Sequence, residues 1–400
     1  MKILTVLGTR PEAIKMAPLI RALSHRPGIE SIVCTTGQHQ SMLDQVLRLF
    51  QIHAHHQLNV MVSNQTLNGL STRLIEKFDP ILDSIKPDRV LVHGDTTTAM
   101  VCAMAAFHRK IPVGHVEAGL RTHDMHRPWP EEMNRRYIDM VADMLFAPTS
   151  QSAQNLRAEK AKGKIFVTGN TVIDALQLTA GMIEKDHLLR QQLDSELPKL
   201  RPDRRLLLVT GHRRENFGEG FQSICKALAN LAKRTDIEIV YPVHLNPNVL
   251  NPVREALGGL SNVHLIEPVD YLKFVRLMQR SYVILTDSGG VQEEAPAMGK
   301  PVLVMRDVTE RPEAIASGVA ELVGTSASAI VQAVTALFES HDRYQMFAAA
   351  LNPYGDGRAS ERIVQALMGC PAPDFSCEDI ESDYVDAPRQ RVSTSAAVTS

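Results

Sequence analysis

Cysteine is scarce in this sequence, with five residues in 400, an odd number and no CxxC pair. Such usage fits free thiols in a reducing compartment better than a disulfide framework. Long apolar runs are missing too: nothing approaches the roughly eighteen residues a membrane span needs, and the amino terminus runs straight into Met1-Lys2-Ile3-Leu4-Thr5-Val6-Leu7 without a signal peptide. A cytoplasmic protein is expected. Charge of one sign is also lacking. With a formal net charge of −2 and Lys and Arg spread along the chain, no field exists to gather nucleic acid or an anionic membrane, so an anionic ligand must be held locally. Neither HxxxH nor HExxH occurs, nor a closely spaced acidic cluster with ligand geometry, which makes a metal site the weaker reading. The fifteen histidines are scattered, and His53, His55 and His56 read as a surface loop.

What is present is an ordinary globular composition, 44% hydrophobic and 22% charged, in a chain long enough for two cores. Short β-rich runs alternate with helical segments: Ile3 to Leu7, Ser31 to Thr35, Val90 to Val92, Val113 to Val116 and Met144 to Ala147. After Ile165-Phe166-Val167-Thr168-Gly169-Asn170 a polar stretch from Glu184 to Arg205 breaks the rhythm. A second series follows, with Leu206 to Thr210, Ile237 to Pro242, Val263 to Ile266, Val283 to Thr286 and Val302 to Met305. The alternation predicts α/β architecture: two Rossmann-like domains with parallel, doubly wound sheets and the active site in the cleft between them. Residues 1–172 are expected to form the first domain and 173–355 the second. From Pro371 to Ser400 the chain mixes Asp, Glu, Pro, Ser and Thr without periodicity and is expected to be a disordered tail.

Parallel sheets bind ligands at the carboxyl ends of their strands, so the residues after each run carry the information. The most telling is Thr286-Asp287-Ser288-Gly289-Gly290-Val291-Gln292-Glu293-Glu294, where a strand, a glycine turn and a helix start succeed one another. Amides of Ser288, Gly289 and Gly290 at such a start suit a phosphate or diphosphate, and Glu294 stands within reach of ribose hydroxyls. The first strand runs into Gly8-Thr9-Arg10-Pro11-Glu12-Ala13-Ile14-Lys15, whose Arg10 and Lys15 are two cations beside a helix start. Asp95 and Glu117 follow other strands in His93-Gly94-Asp95-Thr96 and Glu117-Ala118-Gly119, and a further acidic pair that includes Glu131 lies in Trp129-Pro130-Glu131-Glu132-Met133-Asn134-Arg135. His212 opens the second domain's first turn, and Arg311 follows its fifth strand. Singly, each has a plain explanation as a helix cap, a turn or a surface ion pair. Together, three carboxylates and a histidine opposite cations and a glycine turn describe one cleft with acid/base groups on one side and anion holders on the other.

These segments, with Met16-Ala17-Pro18, His115-Val116 and Gly211-His212-Arg213-Arg214-Glu215-Asn216, resemble the bacterial non-hydrolysing UDP-N-acetylglucosamine 2-epimerases from residue 1 to about residue 367. The resemblance implies a glycosyltransferase-B-like pair of domains, a carboxyl-terminal helix of about 356–369 crossing back onto the first domain, and a homodimer. It implies reversible interconversion of UDP-N-acetylglucosamine and UDP-N-acetylmannosamine through a 2-acetamidoglucal, without nicotinamide, metal or other cofactor, for cell-surface polysaccharide synthesis.

By the same resemblance Asp95, Glu117, Glu131 and His212 are catalytic, with the acid and base among the carboxylates unassigned. Arg10, Lys15, His212, Ser288, Gly289, Gly290 and Arg311 hold the diphosphate, Glu294 takes the ribose, and Phe274 lies near the uracil. Gln38, Arg213 and His244 match members activated by a second UDP-N-acetylglucosamine. Yet Gln40, Ser41 and Asn64 depart from that pattern, and Val269 replaces a glutamine near the uracil. The rival readings are a hydrolysing epimerase that frees UDP and N-acetylmannosamine, a glycosyltransferase of the same architecture, and a non-catalytic UDP-sugar sensor. A sensor would have little reason to keep all three carboxylates.

Overall fold

The computed structural model describes residues 1–37, 40–62 and 64–377, with backbone alone at residues 40–42. Among the described residues the strands form two sheets, and every pairing is parallel. The first sheet contains β1 (Lys2–Leu7), β2 (Glu30–Thr35), β3 (His56–Gln57), β4 (Arg89–His93), β5 (Val113–Val116), β6 (Met144–Ala147) and β7 (Lys164–Val167), in the order β3-β2-β1-β4-β5-β6-β7. The second contains β8 (Arg205–Thr210), β9 (Ile237–Pro242), β10 (Val263–Ile266), β11 (Ser281–Thr286), β12 (Val302–Val304) and β13 (Ala320–Leu322), in the order β10-β9-β8-β11-β12-β13. Strands buried on both faces read as continuous apolar runs, which is why Leu206-Leu207-Leu208-Val209 and Val90-Leu91-Val92 were visible as strands. β3 and β13 span two and three residues and carry no such run. His56 therefore belongs to an edge strand, and the His55 ring nitrogen Nδ1 accepts the Val33 N–H (3.0 Å).

Each sheet reverses its strand order once, between β1 and β4 in the first and between β8 and β11 in the second. A crevice opens at such a reversal because the flanking helices leave on opposite faces. Both sheets have apolar cores on their outer faces, around Leu74, Phe78 and Val101 in the first and Phe221, Leu228 and Val253 in the second. A third cluster runs continuously from Ile3 and Met16 to Leu206 and Val275, joined through the helix Thr171–Lys185. That helix packs on Arg10–Ser24, on Tyr271–Arg280 and on the carboxyl-terminal helix Ala359–Leu367, which also lies on Arg10–Ser24. Asp174 fixes the start of the last helix by accepting the N–H groups of Ala359 (3.2 Å) and Ser360 (2.7 Å).

One expectation is corrected here. Residues 371–377 are not a disordered segment: Phe375 is buried and donates its N–H to the Val167 carbonyl (2.7 Å), and Asp374 accepts the Val167 N–H (3.0 Å). One buried ring, one backbone bond and one bond to the Asp374 carboxylate hold a stretch whose composition alone would not fold. Residues 378–400 lie outside the described residues.

At the first reversal Glu12 ties the two turns together. Its buried carboxylate accepts the N–H groups of Gly8 (3.0 Å) and Thr9 (2.5 Å) after β1 and the Thr96 hydroxyl (2.7 Å) after β4. Burial pushes its pKa up from 4.5 to about 6, although these hydrogen bonds oppose the rise. The folded state therefore binds this proton more tightly than the unfolded one, so the contribution to stability is full below pH 4.5 and is lost as pH rises through 6. Glu12→Gln removes that titration. The stability of the variant relative to the parent should rise by about 2 kcal/mol between pH 4 and pH 7 in urea unfolding, and a flat difference would contradict the assignment.

Candidate active site

Strand ends from both sheets meet in the cleft. After β5 the chain places Glu117 in the left-handed region at φ 68°, a conformation that costs a non-glycine residue energy and recurs where side chains are aimed for function. Its carboxylate pairs with the Lys15 ammonium, accepts Asn170 Nδ2 (2.9 Å) and lies 3.5 Å from His93 Nε2. Gly94 takes the left-handed backbone beside it, at φ 64°, without the strain a side chain would add there. Burial would raise the Glu117 pKa and is the largest single influence, but Lys15, His93 and the hydrogen bonds from Lys15 and Asn170 together outweigh it and hold the carboxylate ionised, well below the usual range. Lys15 is likewise kept charged against burial by Glu117 and Glu293. His93 is neutral, its pKa lowered to about 3 by burial.

Asp95 follows β4 and takes a different environment. Arg135 Nη2 donates to its Oδ2 (2.5 Å), and Asn134 Nδ2 donates to its carbonyl (2.8 Å). Its turn is fixed from below by His115, hydrogen-bonded to Asp139 (2.6 Å) and to the Gly94 carbonyl (2.7 Å). Burial is the largest influence on Asp95 and, with the neighbouring Glu117 charge, raises its pKa despite Arg135 and Lys15. Glu131 opens the helix Glu131–Val141 one turn before Arg135, which puts the two on one helix face. One carboxylate oxygen of Glu131 is buried without a hydrogen-bond partner among the described residues. Its neighbour Glu132 is committed to structure, accepting the N–H groups of Thr122 (3.0 Å) and His123 (3.3 Å).

In the second sheet the turn after β11 packs onto Arg311. A Cβ on Gly289 would lie 2.8 Å from the Arg311 guanidinium carbon, so a side chain there would push Arg311 out of its present position. Arg311 Nε donates to Glu293 (2.6 Å), and Nη1 lies 3.1 Å from Glu310. The Ser288 N–H is used within the turn, donating to Thr286 Oγ1 (2.9 Å). The amides that helix geometry leaves without an intrahelical acceptor therefore begin at Gly289 and Gly290. Glu294 accepts the Tyr271 hydroxyl (2.9 Å), and burial lifts its pKa to about 7, with Arg10 and Lys15 close enough to oppose the shift. Cations of the first sheet thus face carboxylates of the second.

His212 stands on the other side of that turn. Asp287, fully buried, accepts the N–H groups of His212 (2.9 Å) and Arg213 (2.8 Å) and lies 3.5 Å from His212 Nδ1. The imidazole is 45% exposed and stacks on His244 with ring centroids 5.8 Å apart. Its pKa is lowered by burial, against the pull of Asp287. Arg213 Nη2 reaches Glu310 (3.4 Å), so Arg213 and His244 border the same turn. Gln38 lies outside the described residues. Phe274 is half-buried against the central apolar cluster, on the helix that also carries Tyr271.

Among the groups of the site given no role on sequence grounds are Glu12, His93, Arg135, Asn170, Asp287, Glu293 and Glu310. For Asn170 the signal that could have found it was its place after β7, parallel to Asp95 after β4.

Comparison with known proteins follows the same lines. A family model described as UDP-N-acetylglucosamine 2-epimerase matches residues 21–368. The UDP-N-acetylglucosamine 2-epimerase of Escherichia coli (strain K12) is 55% identical over 369 residues, covering 92% of this chain and 98% of that protein. Among solved structures, the UDP-GlcNAc 2-epimerase from Neisseria meningitidis bound to UDP-GlcNAc matches with a TM-score of 0.86 at 50% identity, over 92% of this chain and 100% of that one. The enzyme from Methanocaldococcus jannaschii in complex with UDP-GlcNAc and UDP matches with a TM-score of 0.77 at 34% identity, over 92% and 100%. The two parallel sheets share the glycosyltransferase-B-like architecture of these structures. On a match that takes in both sheets and the cleft residues between them, the chain belongs to the UDP-N-acetylglucosamine 2-epimerase family.

Proposed function

We propose that the cleft performs reversible, non-hydrolysing epimerisation of UDP-N-acetylglucosamine at C2. UDP-N-acetylglucosamine 2-epimerase activity comes with the family; the finer reading concerns how it is done. The C2 proton is not adjacent to a carbonyl and is hard to remove directly. Breaking the C1–O bond with its electrons leaving on UDP builds positive character on the ring, and loss of the C2 proton then gives 2-acetamidoglucal. Re-addition of UDP at C1 with protonation of the opposite face of C2 completes the inversion.

The observation that carries this reading is the opposed environment of two neighbouring carboxylates beside anion holders. Glu117, kept ionised by Lys15, suits stabilisation of the cationic transition state. Asp95, with its raised pKa, and Glu131, with its unpartnered buried oxygen, suit proton transfer. Arg10, Lys15, His212, Arg311 and the amides of Gly289 and Gly290 would hold the departing diphosphate, Glu294 the ribose and Phe274 the uracil side. Retention of UDP calls for two domains, 1–172 and 173–355, that close over it. Activity as a cytoplasmic homodimer serving cell-surface polysaccharide synthesis completes the proposal. The half-exposed Ile75, Phe107 and Met140, on helices that pack side by side, offer an apolar face for the second copy.

Arg213 and His244 at the cleft border support a second UDP-N-acetylglucosamine acting as activator. It predicts a sigmoidal dependence of rate on that substrate and a faster reverse reaction when it is added. Hyperbolic kinetics in both directions would remove the activator. For the central reaction, Asp95→Asn, Glu117→Gln and Glu131→Gln should each cut turnover by about 100-fold or more while UDP binding, followed by calorimetry, changes little. Glu294→Gln should instead weaken UDP binding by about 10-fold. Equal loss of UDP affinity in the first three would contradict their catalytic assignment.

A further inference from the structure

Asn170 is buried and precedes the helix Thr171–Lys185 at the point where the chain leaves the first sheet. Its side-chain oxygen accepts the Val172 N–H (3.0 Å), which fixes the orientation of the amide and turns Nδ2 the other way. Nδ2 donates to Glu117 Oε1 (2.9 Å) and to Glu293 Oε2 (2.9 Å), from the first and second sheets respectively. The reversed amide would set an oxygen against two carboxylates, so the assignment is chemically forced. The groups on either side are held as well. The Asn170 N–H donates to the Tyr354 carbonyl (2.6 Å), Tyr354 N–H donates to Asn352 Oδ1 (3.0 Å), and Asn352 Nδ2 donates to the Glu293 carbonyl (2.9 Å). Glu293 in turn accepts Arg311 Nε, and Glu117 accepts Lys15. The order Lys15, Glu117, Asn170, Glu293, Arg311 thus alternates donor and acceptor across the cleft, with one neutral amide between two buried carboxylates.

We propose that Asn170 is a positioning residue for epimerisation, its side-chain amide holding Glu117 at a fixed spacing from Arg311 by way of Glu293. The inference rests on the roles given to Glu117 and Arg311 above. In those roles Glu117 would face the sugar carbon that turns cationic, and Arg311 the phosphate that leaves it. Because UDP must return to the same C1 it left, the two groups must keep one spacing through both halves of the reaction. Misplacement of a reacting partner by about 1 Å can cost on the order of 100-fold in rate.

The competing account is that Asn170 merely caps its helix, and two variants separate the accounts. Asn170→Ser keeps a good helix cap but is too short to reach either carboxylate. It should lower kcat by about 30-fold or more, with KM altered by less than about threefold and thermal unfolding near that of the parent. Asn170→Asp also caps the helix but puts a third carboxylate against Glu117 and Glu293. A buried carboxyl so placed is protonated more readily and can then donate one hydrogen bond. Its kcat at pH 8 should fall below that of Asn170→Ser and recover as pH is lowered to 6, relative to the parent at each pH. Wild-type kcat in Asn170→Ser, or an Asn170→Asp profile parallel to that of the parent, would overturn the proposal. If Asn170→Ser melts early, kinetics are taken below its midpoint and the Asn170→Asp profile decides. Glu117→Gln is assayed alongside. Full turnover in Glu117→Gln would defeat the reading of the site itself, whereas an inactive Glu117→Gln with a fully active Asn170→Ser would defeat only the inference.

Discussion

The buried pairing of Lys15 with Glu117 is the interaction on which the rest of the cleft depends. Taking both charges out of water costs several kcal/mol per ion unless further hydrogen bonds and charges offset it. Here Asn170 and the polar array beyond it supply that offset, and they do so from both sheets at once. The two strand-order reversals, between β1 and β4 and between β8 and β11, are therefore joined by electrostatics as well as by the apolar cluster around the helix Thr171–Lys185. Remove one member and its neighbour becomes an uncompensated buried charge.

The same array divides labour among the carboxylates. Glu117 lies against a cation and stays ionised; Asp95, farther from Lys15 and crowded by Glu117, holds its proton more tightly. Glu294 and Glu12 show the effect of burial with less compensation, at about 7 and about 6. Asp287 serves a different end. By accepting two successive backbone N–H groups it fixes the loop that presents His212, whose own ring remains 45% exposed and open to a ligand. Rigid turns thus present the groups, and differences in desolvation give them different proton affinities.

Much of this was legible in the sequence, and the limits have physical causes. Central parallel strands such as β4 and β8 are buried on both faces and announce themselves as unbroken apolar runs; β3 and β13 sit at sheet edges with too few residues to make a pattern. Asp95 and Glu117 could be singled out because parallel sheets put ligands at strand ends, whereas Glu131 stands at a helix start fifteen residues after β5 and showed itself only as part of an acidic pair. The connecting residues could not. Asn170 and Glu293 stand 123 positions apart and Glu12 and Thr96 stand 84 apart, and nothing local in either segment shows which distant partner it meets. Phe375 erred the other way: a segment with the composition of a disordered tail is held by one buried ring and the edge of β7, a tertiary effect that composition does not record.

The most direct test is proton NMR of the protein with UDP-N-acetylglucosamine in heavy water, following C2, both sugar nucleotides and free UDP together. The account predicts UDP-N-acetylmannosamine with deuterium at C2 and no net release of UDP. Accumulation of free UDP with N-acetylmannosamine, or an epimerised product that keeps its original C2 proton, would contradict it.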